Sequence, residues 1–107
     1  MDILSQLYDT VCERKANNEE GSYTCYLFEK GLDKILKKCG EECAEVIIAS
    51  KNGDKTETVC EISDLLYHLT VLMCELGIKP EDVNFELEKR SGKTKNLKQF
   101  HITDRNS

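Results

Sequence analysis

Apolar residues recur every three or four positions along most of the chain, the period of a helix with one buried face. Ile3, Leu4, Leu7, Tyr8 and Val11 set this spacing over about residues 2–16, with Asp2 placed to cap the start. The polar run "NNEEGSYT" that follows contains a Gly and predicts a loop. A second helix is expected from Cys25 or Leu27 to Ser50, through Leu32, Ile35, Leu36, Cys39, Cys43, Val46 and Ile47. Gly40 interrupts it at a cost of about 1 kcal/mol against Ala, which suggests that another backbone or a ligand comes close there. Asn52-Gly53 is a stop signal. A third helix is expected from about Lys55 to Leu76, with Val59, Ile62, Leu65, Leu66, Leu69, Leu72, Met73 and Leu76 on its main stripe. Cys60, Tyr67, Val71 and Cys74 point elsewhere, so this helix is apolar nearly all round. One chain of 107 residues would struggle to cover it, which argues for a dimer. Gly77 ends the helix, and Pro80 opens a short last one, "PEDVNFELEKR".

The composition agrees with an all-α fold. Charged residues make up 33% and aromatic residues 7%, strand-favouring runs are few, and Glu, Lys and Leu are plentiful. The expectation is one domain over residues 1–90, a bundle of about four to five helices completed by dimerisation. Residues 91–107 form a basic tail: from Lys89 onward come Lys89, Arg90, Lys93, Lys95, Lys98 and Arg105, opposed only by Asp104. Such a run is either a solvated tail or a phosphate-binding arm. The net charge of −5 counts against non-specific nucleic-acid binding, and no run is long enough for a membrane span. The start "MDILSQLYDTV" does not read as a signal peptide. The six cysteines lack the paired spacing of a structural zinc site. They read as small apolar fillers in a reducing, cytoplasmic setting.

The candidate chemistry lies in carboxylates. On the second helix Glu42 sits at the edge of the apolar stripe, about 75° from its centre, with Glu45 further round and Glu41 nearly opposite. Glu42 and Glu45 are an i,i+3 pair on one flank. The third helix repeats the device with Glu61 and Asp64, and His68 continues the line. If the two helices pack antiparallel across "KNGD", four carboxylates converge. Like charges so close need a cation, and an all-oxygen set favours Mg²⁺, or Mn²⁺, over zinc. Lys34 and Lys38 fall near this flank and offer phosphate contacts. The bland alternative is a solvated face in which Lys37 pairs with Glu41 and Lys38 with Glu42. His68, within an apolar helix, reads as a buried, hydrogen-bonded histidine rather than a ligand.

The two acidic pairs, E-E-x-x-E then E-x-x-D, resemble the metal motif of the all-α nucleoside-triphosphate pyrophosphatases. The stretch "EGSYTCYLFEKGLDKILKKCGEECAEVIIASKNGD" followed by "EISDLLYHLTVLM" is similar to the phosphoribosyl-ATP pyrophosphatase family of histidine biosynthesis, and the likeness covers about residues 3–90. It implies an all-α homodimer that uses Mg²⁺ to hydrolyse phosphoribosyl-ATP to phosphoribosyl-AMP and pyrophosphate. It also implies Glu42, Glu45, Glu61 and Asp64 as metal ligands, with Glu41 as a further catalytic acid that orients a water or a second metal. Ser22, Tyr23 and Thr24, with Lys34, Lys37 and Lys38, become substrate-binding candidates. Cys25, Cys39, Cys43 and Cys60 stand where the family more often has Ala or Val, a change of comparable volume. In some organisms this enzyme is fused to the cyclohydrolase of the next step; here a separate phosphoribosyl-AMP cyclohydrolase is expected. Two other readings stay open: a sister enzyme acting on a deoxynucleoside triphosphate, and a non-enzymatic helical dimer module.

Overall fold

Each helix begins and ends where a side chain or a glycine can satisfy its free backbone groups. The computed structural model describes residues 2–92, which form α1 (Ile3–Ala16), α2 (Tyr23–Lys30), α3 (Leu32–Lys51), α4 (Lys55–Leu76) and α5 (Pro80–Ser91). No strand occurs among the described residues, so the fold class is all-α. Asp2, Ser22 and Asp54 cap α1, α2 and α4 by accepting from the backbone N–H groups of Ser5, Cys25 and Glu57. Gly77 closes α4 at φ 72°, and Pro80 takes the first turn of α5. Of the basic tail expected over 91–107, all but Ser91 and Gly92 lies outside the described residues.

The second helix expected from the periodicity is in fact two. Gly31 has φ 93° and ψ −174°, a conformation open in practice only to glycine, and it is both the C-cap of α2 and the N-cap of α3. The α2 helix also starts earlier than expected, at Tyr23, because the Ser22 hydroxyl caps it. Gly40, by contrast, stays inside α3. A Cβ built there meets no atom within 4 Å, so the close approach expected at Gly40 does not occur among the described residues.

Short turn chemistry sets the main packing. Asn52, Gly53 and Asp54 fold α4 back along α3, and this antiparallel hairpin is the most extensive helix contact. The α1 helix lies on α4, α2 packs on both α1 and α3, and α5 packs lightly on α1. Val11, Leu27, Ile35 and Val71 are sealed in the core where these helices meet. Burial of each such side chain contributes about 1.5–3 kcal/mol. The thiols of Cys12 and Cys74 adjoin at the α1–α4 contact, and all six cysteines are free. Burial, then the Cys12 thiol, pushes Cys74 up to about 12, so it packs as an apolar group rather than reacting.

One face of the hairpin remains bare. Val59, Ile62, Leu66 and Leu69 repeat along α4 at three- and four-residue spacing and are exposed. On α3, Leu36, Ile47 and Ile48 are exposed too, with Ile47 at 60%. The helix that is apolar nearly all round is therefore only half covered by its own chain.

Candidate active site

The hairpin brings the two acidic pairs together. Glu42, Glu45 and Glu61 each place one carboxylate oxygen within 4.8 Å of the others. Glu42 is buried at 7% exposure, Glu61 is half-buried and Glu45 is exposed, so the cluster runs from the core to the surface. The reason is the wheel position of Glu42 at the stripe's edge: α4 closes over that edge and leaves the next turn open. Oε2 of Glu42 and Oε2 of Glu61 are shut away from solvent and accept no hydrogen bond. Unpartnered buried carboxylate oxygens are costly, so such a pair calls for a counter-charge.

The electrostatics point the same way. The neighbouring carboxylates, Glu45 first and then Glu57, push the Glu61 carboxyl up to about 8, and partial burial adds to the effect. Glu57 was not foreseen as a member of this group. Its signal was available as the i−4 neighbour of Glu61 on the same helix face. Asp64 is exposed one turn further along α4, and its side chain lies outside the three-oxygen cluster. Its backbone carbonyl accepts a hydrogen bond from Nδ1 of His68 at 2.8 Å.

Lys38 pairs with the acidic flank of α3. Its Nζ lies 3.3 Å from Glu41 and 3.8 Å from Glu42. Glu41 thus pairs with Lys38 at i,i+3 rather than with Lys37 as the bland alternative had it, and it stays exposed outside the cluster. Burial pulls the Lys38 ammonium down, but the Glu41 hydrogen bond and the negative charges beside it outweigh this and leave it raised. Lys34 is half-buried on the same helix, and Lys37 is exposed.

The loop residues have structural work of their own. Ser22 caps α2, Thr24 hydrogen-bonds the Tyr67 hydroxyl, and the Tyr23 hydroxyl meets Nε2 of His68 at 3.0 Å. Burial raises the Tyr23 hydroxyl pKa, and the charges of Lys38 and Glu42 act on it in opposite directions. His68 is buried and hydrogen-bonded, as its place in an apolar helix predicted. Its partner Tyr23, 45 residues away, was not readable from the chain.

An all-oxygen cluster with two shielded, unpartnered oxygens fits a hard divalent cation. Fold and site together define an all-helical protein with an acidic centre held between two antiparallel helices. Comparison with known proteins narrows that class. Residues 4–91 match the family described as phosphoribosyl-ATP pyrophosphohydrolase. The chain is 56% identical over 95 residues to a phosphoribosyl-ATP pyrophosphatase of Streptococcus thermophilus, covering 89% of this chain and 91% of that protein. It is 51% identical over 98 residues to a phosphoribosyl-ATP pyrophosphatase of Clostridium novyi, covering 92% of this chain and 89% of the relative. A histidine biosynthesis bifunctional protein HisIE of Thermoanaerobacter pseudethanolicus is 67% identical over 81 residues, which span 76% of this chain and 38% of the larger protein. The chain belongs to the phosphoribosyl-ATP pyrophosphohydrolase family, and it is a hydrolase.

Proposed function

We propose that this chain hydrolyses phosphoribosyl-ATP to phosphoribosyl-AMP and pyrophosphate in histidine biosynthesis, as a cytoplasmic homodimer that requires Mg²⁺. The observation that carries the reading is the Glu42, Glu45 and Glu61 cluster, with its two unpartnered oxygens, in a chain of this family. Relatives that share nearly its full length bear the name of that reaction.

The substrate is a polyanion, and three carboxylates repel it. Glu42, Glu45 and Glu61 would hold the cation, with Asp64 as the fourth ligand, and Mn²⁺ would serve in its place. When bound, the cation supplies charge neutralisation on the phosphate oxygens, the largest need in phosphoanhydride hydrolysis. The hairpin holds these carboxylates on rigid helices, so little reorganisation is needed when substrate arrives. Lys38, with Lys34 and Lys37 on the same helix, binds the outer phosphates. Glu41 keeps Lys38 extended along α3 through its ion pair and is the candidate to orient the attacking water. Ser22 and Thr24, at the start of α2, are the further substrate contacts of this reading. A separate cyclohydrolase acting on phosphoribosyl-AMP would consume the product.

The bare apolar stripe of Val59, Ile62, Leu66 and Leu69 supports the homodimer, because its burial against a second copy removes these residues from water. The deciding experiment is pyrophosphate release from phosphoribosyl-ATP with and without Mg²⁺, run beside deoxynucleoside triphosphates. Release that is Mg²⁺-dependent and selective for phosphoribosyl-ATP is expected. Equal or faster release from a deoxynucleoside triphosphate would move the chain to the sister activity, and no release from any would leave a helical binding module.

A further inference from the structure

The α1–α4 contact holds two thiols face to face. Cys12 and Cys74 stand 62 residues apart in the chain, yet their Sγ atoms lie 2.8 Å from each other. A disulfide bond is about 2.05 Å long, so the sulfurs need approach by only roughly 0.8 Å to bond.

Neighbours on both helices fix this meeting. Val11, beside Cys12, is sealed in the core with Val71, one turn before Cys74. Lys15, one turn after Cys12, pairs with Glu75 at 3.2 Å, and its ammonium also lies 5.4 Å from the centre of the Phe28 ring. The sulfurs thus sit between an apolar clamp and an ion pair that hold α1 against α4. An encounter that the unfolded chain would have to find by closing a long loop is already made.

The remaining thiols are placed differently. Cys25 is buried, and its Sγ donates to the Arg14 carbonyl at 3.3 Å. Cys43 and Cys60 are exposed. Within the pair the two members are unequal. Cys12 is half-buried, whereas Cys74 is buried and keeps its proton in the reduced protein. Cys12 is therefore the sulfur that meets a reagent from solution. Cys74 is inert toward solution and reacts only with the sulfur it already touches.

We propose that Cys12 and Cys74 form an oxidation-sensitive pair, which closes to a disulfide and staples α1 to α4 when the surrounding thiol pool turns oxidising. The oxidant is a low-molecular-weight disulfide. The Cys12 thiolate attacks one of its sulfurs, forming a mixed disulfide and releasing one thiolate. Cys74 gives its proton to solvent and attacks Sγ of Cys12, and the second small thiolate leaves. In sum, two protein thiols lose two electrons and two protons, and the small disulfide gains them as two thiols. In a reducing setting the pair stays open and packs as two apolar groups. Cys74 lies roughly 20 Å along α4 from Glu61, at 1.5 Å per residue, so the staple acts on the fold and not on the acidic centre.

The test uses the full chain, equilibrated with oxidised glutathione, alkylated and digested for peptide mass mapping. A peptide joining residue 12 to residue 74 is expected, while Cys43 and Cys60 should be found free or carrying glutathione. Cys74→Ser should trap one glutathione on Cys12, and Cys12→Ser should leave Cys74 unmodified. In a Cys43→Ser, Cys60→Ser background, the oxidised protein should melt roughly 10–20 °C above the reduced one, the gain from closing so long a loop, and should lose this on reduction. The map of the wild-type chain stands whether or not either single serine variant folds. No link between residues 12 and 74 in the folded protein would overturn the proposal, as would a link that forms only in denaturant. Glutathione on Cys74 in the Cys12→Ser protein, or an oxidised protein that melts no higher than the reduced one, would overturn it too.

Discussion

Replacing Glu42 with Gln should make the metal-free protein more stable while abolishing its response to Mg²⁺. The cluster oxygens of Glu42 and Glu45 lie within 4.8 Å. Two unit charges at that separation repel by about 3.5 kcal/mol at an effective dielectric constant of about 20. Glu45 is exposed, so solvent screening reduces this to roughly 1 kcal/mol. The change also gives up the Glu42–Lys38 contact at 3.8 Å, but Lys38 keeps Glu41 at 3.3 Å. That loss is about 0.3–0.5 kcal/mol, the size of an i,i+4 helix pair, because the 3.8 Å contact is long and Lys38 keeps another partner. The metal-free Glu42→Gln protein should therefore melt roughly 2–5 °C higher. In wild type, Mg²⁺ at about a hundred times its Kd should add about 2.7 kcal/mol, and in the variant nearly none of this should remain. Far-UV circular dichroism melts, in chelator and in excess Mg²⁺, read both effects on one sample. A variant that melts lower than wild type in chelator would show that Glu42 is held by partners rather than strained by neighbours. A variant that keeps the full Mg²⁺ shift would remove Glu42 from the proposed metal site.

Three further outcomes follow from named residues. The folded Glu61 carboxyl holds its proton up to about 8 against 4.5 in the unfolded chain, so metal-free stability should fall as pH rises through that window; Glu61→Gln should flatten the slope, and an unchanged slope would refute the assignment. Gly31→Ala should cost about 1–3 kcal/mol in urea unfolding because of its backbone conformation alone, whereas Gly40→Ala inside α3 should gain about 0.5–1 kcal/mol. A loss at Gly40 would instead point to a partner chain or ligand against that face. If the proposed homodimer forms through the bare α4 stripe, Ile62→Asp should leave a helical monomer by light scattering, and a mass equal to that of wild type would refute this interface.

Much of this architecture was readable along the chain because it is local. The boundaries of α1 and α4 follow from apolar spacing and from Asp2, Gly53, Asp54 and Gly77, whose side chains or backbone freedom act within a few residues. The two halves of the acidic site were readable for the same reason, since i,i+3 spacing alone puts each pair on one flank. The break at Gly31 was not. Leu27 and Ile35 keep helical spacing straight through it, and Gly40 shows that a glycine can equally well sit inside a helix. Only packing α2 against both α1 and α3 chooses between the two conformations. Tertiary structure also decided which carboxylates meet. It buried Glu42, drew in Glu57, left the Asp64 side chain outside the cluster and turned Glu41 toward Lys38. The link between Tyr23 and His68 has no local signature at all. Periodicity records which face of a helix is buried, but the partner that face meets depends on the whole fold closing, and hydrogen bonds across 45 residues exist only once it has.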